Sequence, residues 1–216
     1  MFNSTLPLAQ RSIDMGVSER KAREKEELRS LILEGAMKLF AEKGVANVTI
    51  RNIADAVEYS VGTVYVYFKD KNAILHALHT KGFLELRGRF MVLLNVADPM
   101  ERLKASGKVY IQFAQEQPDM YDLMFNTQAP MDFVKEGEGD VWDEGKATFG
   151  FVRTVIQDCL AAGHFSGHDP EALSFLIWSI VHGMCSLTIS CRTDVVSLEQ
   201  PTTQGYAEFL RMLEKF

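Results

Sequence analysis

The 216-residue chain is 47% hydrophobic, 24% charged and 10% aromatic, which excludes intrinsic disorder, collagen-like sequence and a disulfide scaffold and leaves enough chain to bury a sizeable core. Its three cysteines, Cys159, Cys185 and Cys191, contain no C-x-x-C pair, so neither a disulfide framework nor a zinc ribbon is expected. The net charge of −6 is unevenly spread: residues 1–75 carry +1 and residues 76–216 carry −7, as two modules facing different partners would.

Residues 1–23 show no sustained apolar period and are expected to form a flexible arm ending in Glu19-Arg20-Lys21-Ala22-Arg23. No basic stretch followed by continuous apolar residues opens the chain, so no secretory signal is expected. From Glu24 onward Leu28, Leu31, Ile32, Ala36, Leu39 and Phe40 recur at helical spacing, and Gly44 supplies a stop. Thr49 stands as an N-cap before a short helix over 50–57, with Ile50, Ile53, Ala54 and Val57 on one face. Ser60 can cap a third helix through Phe68, and Asp70 a long fourth one from Lys71 to about Leu94. Asp98-Pro99 opens a helix to about Gln115, and Pro118-Asp119 a shorter one through Phe125. Residues 127–139 read as a loop, and helices follow at about 140–162, 170–191 and 203–215. The most apolar segment, Ala172 to Ile189, is interrupted by Ser174, Ser179, His182 and Ser186 and reads as a buried helix and not as a membrane span. With no strand-like alternation, the expected fold is all-α with about nine helices: the arm over 1–23, a three-helix domain over 24–70 and a second helical domain over 71–216.

The second and third helices have the lengths of a helix-turn-helix, whose second helix lies in the DNA major groove. Placing Val64 at the centre of the buried face puts Phe68 beside it and turns Gly62, Thr63 and Val66 outward, with Tyr65 and Tyr67 on the flanks. Gly62 has no side chain to hold DNA off, the hydroxyls have phosphate reach, and Val66 offers an apolar surface to a thymine methyl. The stretch Val48 to Lys71, with Gly62, Thr63, Tyr65, Tyr67, Phe68 and Lys71 as its core, resembles the DNA-binding domain of tetracycline-repressor-like (TetR-family) regulators. That resemblance implies a homodimer on a palindromic double-stranded operator and an all-helical C-terminal domain that dimerises and holds a small effector. It implies phosphate contacts from Thr49, Thr63, Tyr67 and Lys71 and groove-facing roles for Gly62, Tyr65 and Val66. Arg51 and Ser60 complete the candidate DNA-binding set.

Two positions depart from the family pattern. Glycine is usual where Glu58 stands, and a basic or polar residue is common where Val61 stands, so weaker nonspecific DNA binding is expected. Further on, Trp178-x-x-x-His182-Gly183 and Pro118-x-x-Tyr121-x-Leu123-Met124-Phe125 are similar to the Trp-His-Gly subfamily of TetR C-terminal domains. Trp178 and His182 share a helix face, and Gly183 permits close approach of another helix.

Several features admit two readings. Trp178 and His182 are either a core pair satisfied by backbone or water, or effector contacts. Tyr110, Phe113, Met124, Phe149 and Trp178 are either plain core or the lining of an apolar effector cavity. His76 and His79, and His164 and His168 near Asp169, lack a third ligand at fixed spacing, so solvated histidines are expected in place of a metal site. Cys185 and Cys191 read as buried small hydrophobes, and the acidic run Glu136, Glu138, Asp140, Asp143 and Glu144 as a solvated loop and helix start. With no G-x-S-x-G, G-x-x-x-x-G-K-S/T or H-E-x-x-H, no catalysis and no cofactor are expected.

The expected function is that of a cytoplasmic, homodimeric, ligand-responsive DNA-binding repressor without a membrane partner, in which effector and operator oppose each other. The last two helices, both apolar, are the candidates for the dimer interface. The rivals are an effector-independent architectural or interaction protein that binds DNA, and an all-α enzyme or carrier with a vestigial helix-turn-helix.

Overall fold

A computed structural model describes residues 8–127 and 142–215. Among them are nine α-helices: α1 (Leu8–Lys43), α2 (Ile50–Ala56), α3 (Val61–Tyr67), α4 (Lys71–Met91), α5 (Pro99–Glu116), α6 (Pro118–Phe125), α7 (Asp143–Ala161), α8 (Pro170–Ile189) and α9 (Pro201–Leu213). The expected loop over 127–139, with Glu136 and Glu138, lies outside the described residues apart from Thr127, as does Asp140. The chain divides into two compact units within α4, the first ending at Ile74 and the second beginning at Leu75.

Helix α1 corrects the expected arm, since it is continuous from Leu8. Residues 19–27 are strong helix formers joined by Arg20–Glu24 and Arg23–Glu27 pairs at 3.6 Å, one turn apart. Residues 18–27 are exposed and bury no apolar face, so apolar periodicity could not reveal them. Leu31, expected on the inner face, is 42% exposed, and Leu33 is buried instead.

The first unit closes over Ile32, Ala36 and Phe40 of α1, Ile53 and Ala54 of α2, Val64 of α3, and Val57, Phe68 and Ile74. Gly35 is required by this packing, because a Cβ there would stand 2.5 Å from Val57 Cγ1. In the second unit α5 packs on α6, α7 and α8, and α9 packs on α8. Gly107 of α5 lies flush against the ring of Tyr206 of α9, whose hydroxyl donates to the Lys104 carbonyl at 2.6 Å. The Arg102 guanidinium donates to the Val96 carbonyl through Nε and Nη2 and reaches Asp158 at 2.7 Å, tying the turn after α4 to α5 and α7.

Helix α8 is less buried than its composition suggests. It is the one helix among the described residues long and apolar enough to cross a membrane, yet it lies against α5, α7 and α9. Ser174, Ile177, Val181 and Cys185 form its buried stripe, while Phe175, Leu176 and Leu187 are about half exposed. Gly183 meets no other helix among the described residues, since a Cβ there would have nothing within 4 Å. Cys191 is exposed, against expectation, because it occupies the left-handed position that ends α8, with φ 53°. Cys159 and Cys185 are buried, and burial pushes their thiols up to about 11 and about 12, which makes them inert.

Candidate functional site

The helix-turn-helix is assembled by short-range capping. The Thr49 hydroxyl accepts from the Asn52 backbone N–H while the Asn52 side chain accepts from the Thr49 N–H, a reciprocal cap that starts α2. The helix ends with Tyr59 N–H on the Ala54 carbonyl at 3.0 Å and Glu58 N–H on the Asp55 carbonyl at 3.3 Å, which forces Glu58 to φ 59°. Glycine would adopt that conformation without strain, and here a glutamate is held in it. Ser60 then caps α3 by accepting from Thr63 N–H at 3.0 Å, and its Oγ pairs with Thr63 Oγ1 at 2.8 Å.

Beneath α3, Val64 is 0% exposed, and Phe68, under the Arg29 guanidinium, is also buried. On the outside, Val66 is 73% and Tyr65 53% exposed, with Gly62 on the same face at helical spacing. The fold does not require glycine at 62, since a Cβ there would meet nothing nearer than Ser60 Oγ at 3.7 Å. Its bare backbone instead leaves the helix open to a close partner. Arg51 is exposed on α2, and Tyr67 is half-buried at the end of α3. Lys71 behaves differently from the resemblance: its ammonium donates to the Val45 carbonyl at 2.8 Å and the Val48 carbonyl at 3.0 Å. It therefore braces the segment between α1 and α2 and keeps at most one donor for a phosphate.

The second unit holds a cavity of about 600 Å³. Phe83, Leu86 and Phe90 of α4, Tyr110 of α5, Phe125 of α6, Trp142, Phe149 and Val152 on the α7 side and Trp178 of α8 form its apolar wall, with Lys146, Asp169 and Glu171 also on the lining. Of the candidate effector contacts, Tyr110, Phe149 and Trp178 are on this wall. Phe113 is fully buried beneath the Arg89 guanidinium, and Met124 packs against Gly82, so neither reaches the cavity. His182 sits behind the wall in a hydrogen-bonded chain. Trp178 Nε1 donates to Tyr110 Oη at 3.3 Å, and Tyr110 donates to Tyr121 Oη at 3.2 Å. Tyr121 Oη lies 2.6 Å from His182 Nδ1, and His182 Nε2 lies 3.3 Å from Ser186 Oγ. A Nε2–H tautomer of His182 satisfies every member. Burial keeps the Tyr110 and Tyr121 hydroxyls neutral and lowers the pKa of His182.

His79 is a clear correction. Expected as a solvated histidine, it is 1% exposed against Phe83 and Trp142, and burial, aided by nearby His76 and opposed by Glu144, lowers its pKa to about 4. No group of three metal-ligating side chains occurs among the described residues.

The family model for "Bacterial regulatory proteins, tetR family" matches residues 32–78, which span the capped helix-turn-helix and the Lys71 brace. The model for "Tetracyclin repressor-like, C-terminal domain" matches residues 103–213, more than half of the chain. The chain belongs to the TetR family. Among curated proteins it is 27% identical over 164 residues to the HTH-type transcriptional regulator HbdR of Aromatoleum sp. (strain CIB), covering 73% of this chain and 68% of that one. Among solved structures it resembles the ketosteroid transcriptional regulator KstR2 of Mycobacterium tuberculosis, with TM-score 0.66, 19% identity and coverage of 87% of this chain and 93% of that one. It also resembles the TetR-family regulator PfmR of Thermus thermophilus, with TM-score 0.65, 18% identity and coverage of 85% and 97%. As a TetR-family member the protein is a DNA-binding transcriptional regulator, and these relatives are regulators and not enzymes. The C-terminal match carries the tetracyclin repressor-like description and lends no support to the Trp-His-Gly subfamily.

Sequence reasoning about this TetR-family chain missed the contribution of α4 to the cavity. Phe83, Leu86 and Phe90 recur at helical spacing, a signal that was available but is shared with any core-facing stripe. Nothing local in the sequence marks Trp142 as a neighbour of His79.

Proposed function

We propose that the protein is a cytoplasmic homodimeric repressor, without a membrane partner, that leaves a palindromic operator when a small, largely apolar effector enters the cavity of its second unit. The observation that carries this reading is the cavity itself: its volume of about 600 Å³ lies within the range of small-molecule sites, and its wall is aromatic and aliphatic with few polar groups. A regulator that acts without an effector has no need of such a space. The KstR2 neighbour is named for ketosteroids, which are apolar molecules of cavity size, and this supports the same class of ligand here.

On DNA, Gly62, Tyr65 and Val66 face the groove, while Arg51, Thr49, Ser60, Thr63 and Tyr67 serve the phosphates, with Lys71 dividing its donors between the fold and the backbone of the duplex. The half-exposed Phe175, Leu176 and Leu187 of α8 and Met212 of α9 supply an apolar face for a second copy of the chain. Parallel measurement of melting temperature and operator affinity across a panel of apolar compounds tests the proposal. Linkage requires that a compound binding this cavity raise the melting temperature and weaken operator binding together. Stabilisation with unchanged operator affinity would mean binding without regulation.

A further inference from the structure

The second unit contains two Trp–His pairs, and they are satisfied in opposite ways. Every nitrogen of Trp178 and His182 has a partner: Trp178 Nε1 has Tyr110, His182 Nδ1 has Tyr121, and His182 Nε2 has Ser186. His79 and Trp142, with ring centroids 6.1 Å apart, have none: His79 Nδ1, His79 Nε2 and Trp142 Nε1 are all buried without a hydrogen-bond partner among the described residues. Buried polar groups in folded proteins are almost always paired, because an unpaired one forfeits its hydration with nothing in return. Three such atoms at one place are a specific departure from that rule.

Their position gives the departure a meaning. Both rings pack on Phe83, at 4.8 Å from His79 and 5.4 Å from Trp142, and Phe83 and Trp142 are themselves part of the cavity wall. Gly145, in the first turn of α7, lies so close to the Trp142 ring that a Cβ there would overlap it, so the indole is seated on bare backbone. Among the described residues, neighbouring groups do not supply the missing partners: the Glu144 carboxylate takes the Thr80 hydroxyl at 3.3 Å. Trp142 Nε1–H can only donate, and a neutral imidazole has one donor and one acceptor. The group that matches both is an oxygen with two lone pairs. A carboxylate matches poorly, because burial keeps His79 uncharged and an unpaired buried anion is strongly disfavoured.

We infer that His79 and Trp142 form the receptor for one uncharged oxygen of the effector, a carbonyl or hydroxyl that accepts from Trp142 Nε1–H and engages His79 while the apolar body of the ligand lies along Phe83 and the aromatic wall. This rests on the reading of the cavity as the effector site. It narrows the ligand class from apolar molecules in general to apolar molecules bearing a neutral oxygen.

Three compounds with a shared phenylalkyl skeleton test it on the full-length protein: butylbenzene, which has no oxygen, benzylacetone, which has a carbonyl, and hydrocinnamate, which has a carboxylate. Affinities are measured for wild type, Trp142→Phe and His79→Leu. The expected result is that each substitution weakens benzylacetone about tenfold and leaves butylbenzene within about twofold, because only the carbonyl loses a partner. Equal loss for both compounds, or no loss for either, overturns the inference. A wild-type measurement covers the event that a variant does not fold: the Trp142 indole N–H proton resonance, distinguished from that of Trp178 with a Trp178→Phe sample, should move downfield with benzylacetone and not with butylbenzene. An identical response to both compounds overturns the inference while leaving the cavity reading in place. Hydrocinnamate binding tighter than benzylacetone with protonation of His79 overturns the uncharged receptor. If none of the three alters the melting temperature or either indole resonance, the cavity reading falls and takes this inference with it.

Discussion

In the N-terminal unit the side chains with recognition chemistry are outside, with Val66 73% and Tyr65 53% exposed over a core centred on Val64. In the C-terminal unit they are inside: Tyr110 is 5% and His79 1% exposed, in and behind a wall drawn from five helices. A surface reader needs only one well-capped helix, so its function is written in about ten consecutive residues. A cavity needs elements from distant parts of the chain to converge, and its polar groups must be satisfied by one another or by what enters. The N-terminal unit therefore tolerates a strained residue, Glu58, where capping hydrogen bonds enforce the geometry. The C-terminal unit holds three buried polar atoms without a partner among the described residues.

The largest test of this contrast concerns the outer surface of the C-terminal unit. Leu176→Glu places a charge at a site 55% exposed in the single chain, so the fold should survive while the proposed dimer separates. Operator affinity should then fall by about 100-fold or more, the avidity of two linked half-sites. Sedimentation that finds a fully active dimer would remove this face of α8 from the interface.

The next effect comes from the interior. Because the folded protein holds His79 at about 4 against an ordinary value of 6.5, the unfolded chain takes up the proton first as pH falls, and stability is lost between these two values and not above them. The loss from this group should approach about 3 kcal/mol at the acid end. Denaturant unfolding of wild type and His79→Leu at pH 7 and pH 4.5 checks it, with the variant expected to lose the smaller amount. A parallel decline in both proteins would show that other groups set the acid sensitivity, His182 among them, since burial lowers its pKa as well.

Two substitutions then probe the N-terminal unit. Lys71→Ala removes the hydrogen bonds to the Val45 and Val48 carbonyls and should cost about 2 kcal/mol of stability in the absence of DNA. A lysine acting on phosphate alone would leave the unfolding midpoint unchanged and only reduce the salt slope of operator binding by about 1 per subunit. Val66→Ala, by contrast, should leave both stability and salt slope intact and relax preference at one base pair per half-site by about 1 kcal/mol. Uniform weakening on operator, single-base variant and random DNA would place Val66 off the groove floor.

The caps at Thr49, Ser60, Asp70 and Asp98 were legible from the chain alone, and each makes the bond its position predicts. So was the inward turn of Val64 and Phe68, because neighbours within one helical turn decide it. Helix α1 was legible only from Glu24, since the exposed residues 18–27 rest on propensity and ion pairs and not on an apolar face. The cavity was half legible: Tyr110, Phe149 and Trp178 line it, but aromatic content cannot separate them from Phe113 and Met124, which fill the core instead.

The sequence by itself determined the helices from Glu24 onward, their side-chain caps and the outward face of α3, because hydrogen bonds and periodicity within a few residues decide all of them. Tertiary structure alone decided which side chains share an environment. It placed Lys71 on carbonyls 26 and 23 residues earlier in the chain, gave Trp178 and His182 their full set of partners, and left the ring nitrogens of His79 and Trp142 with none among the described residues. Burial and hydrogen-bond satisfaction are properties of convergence in space, and no local pattern of residues encodes them.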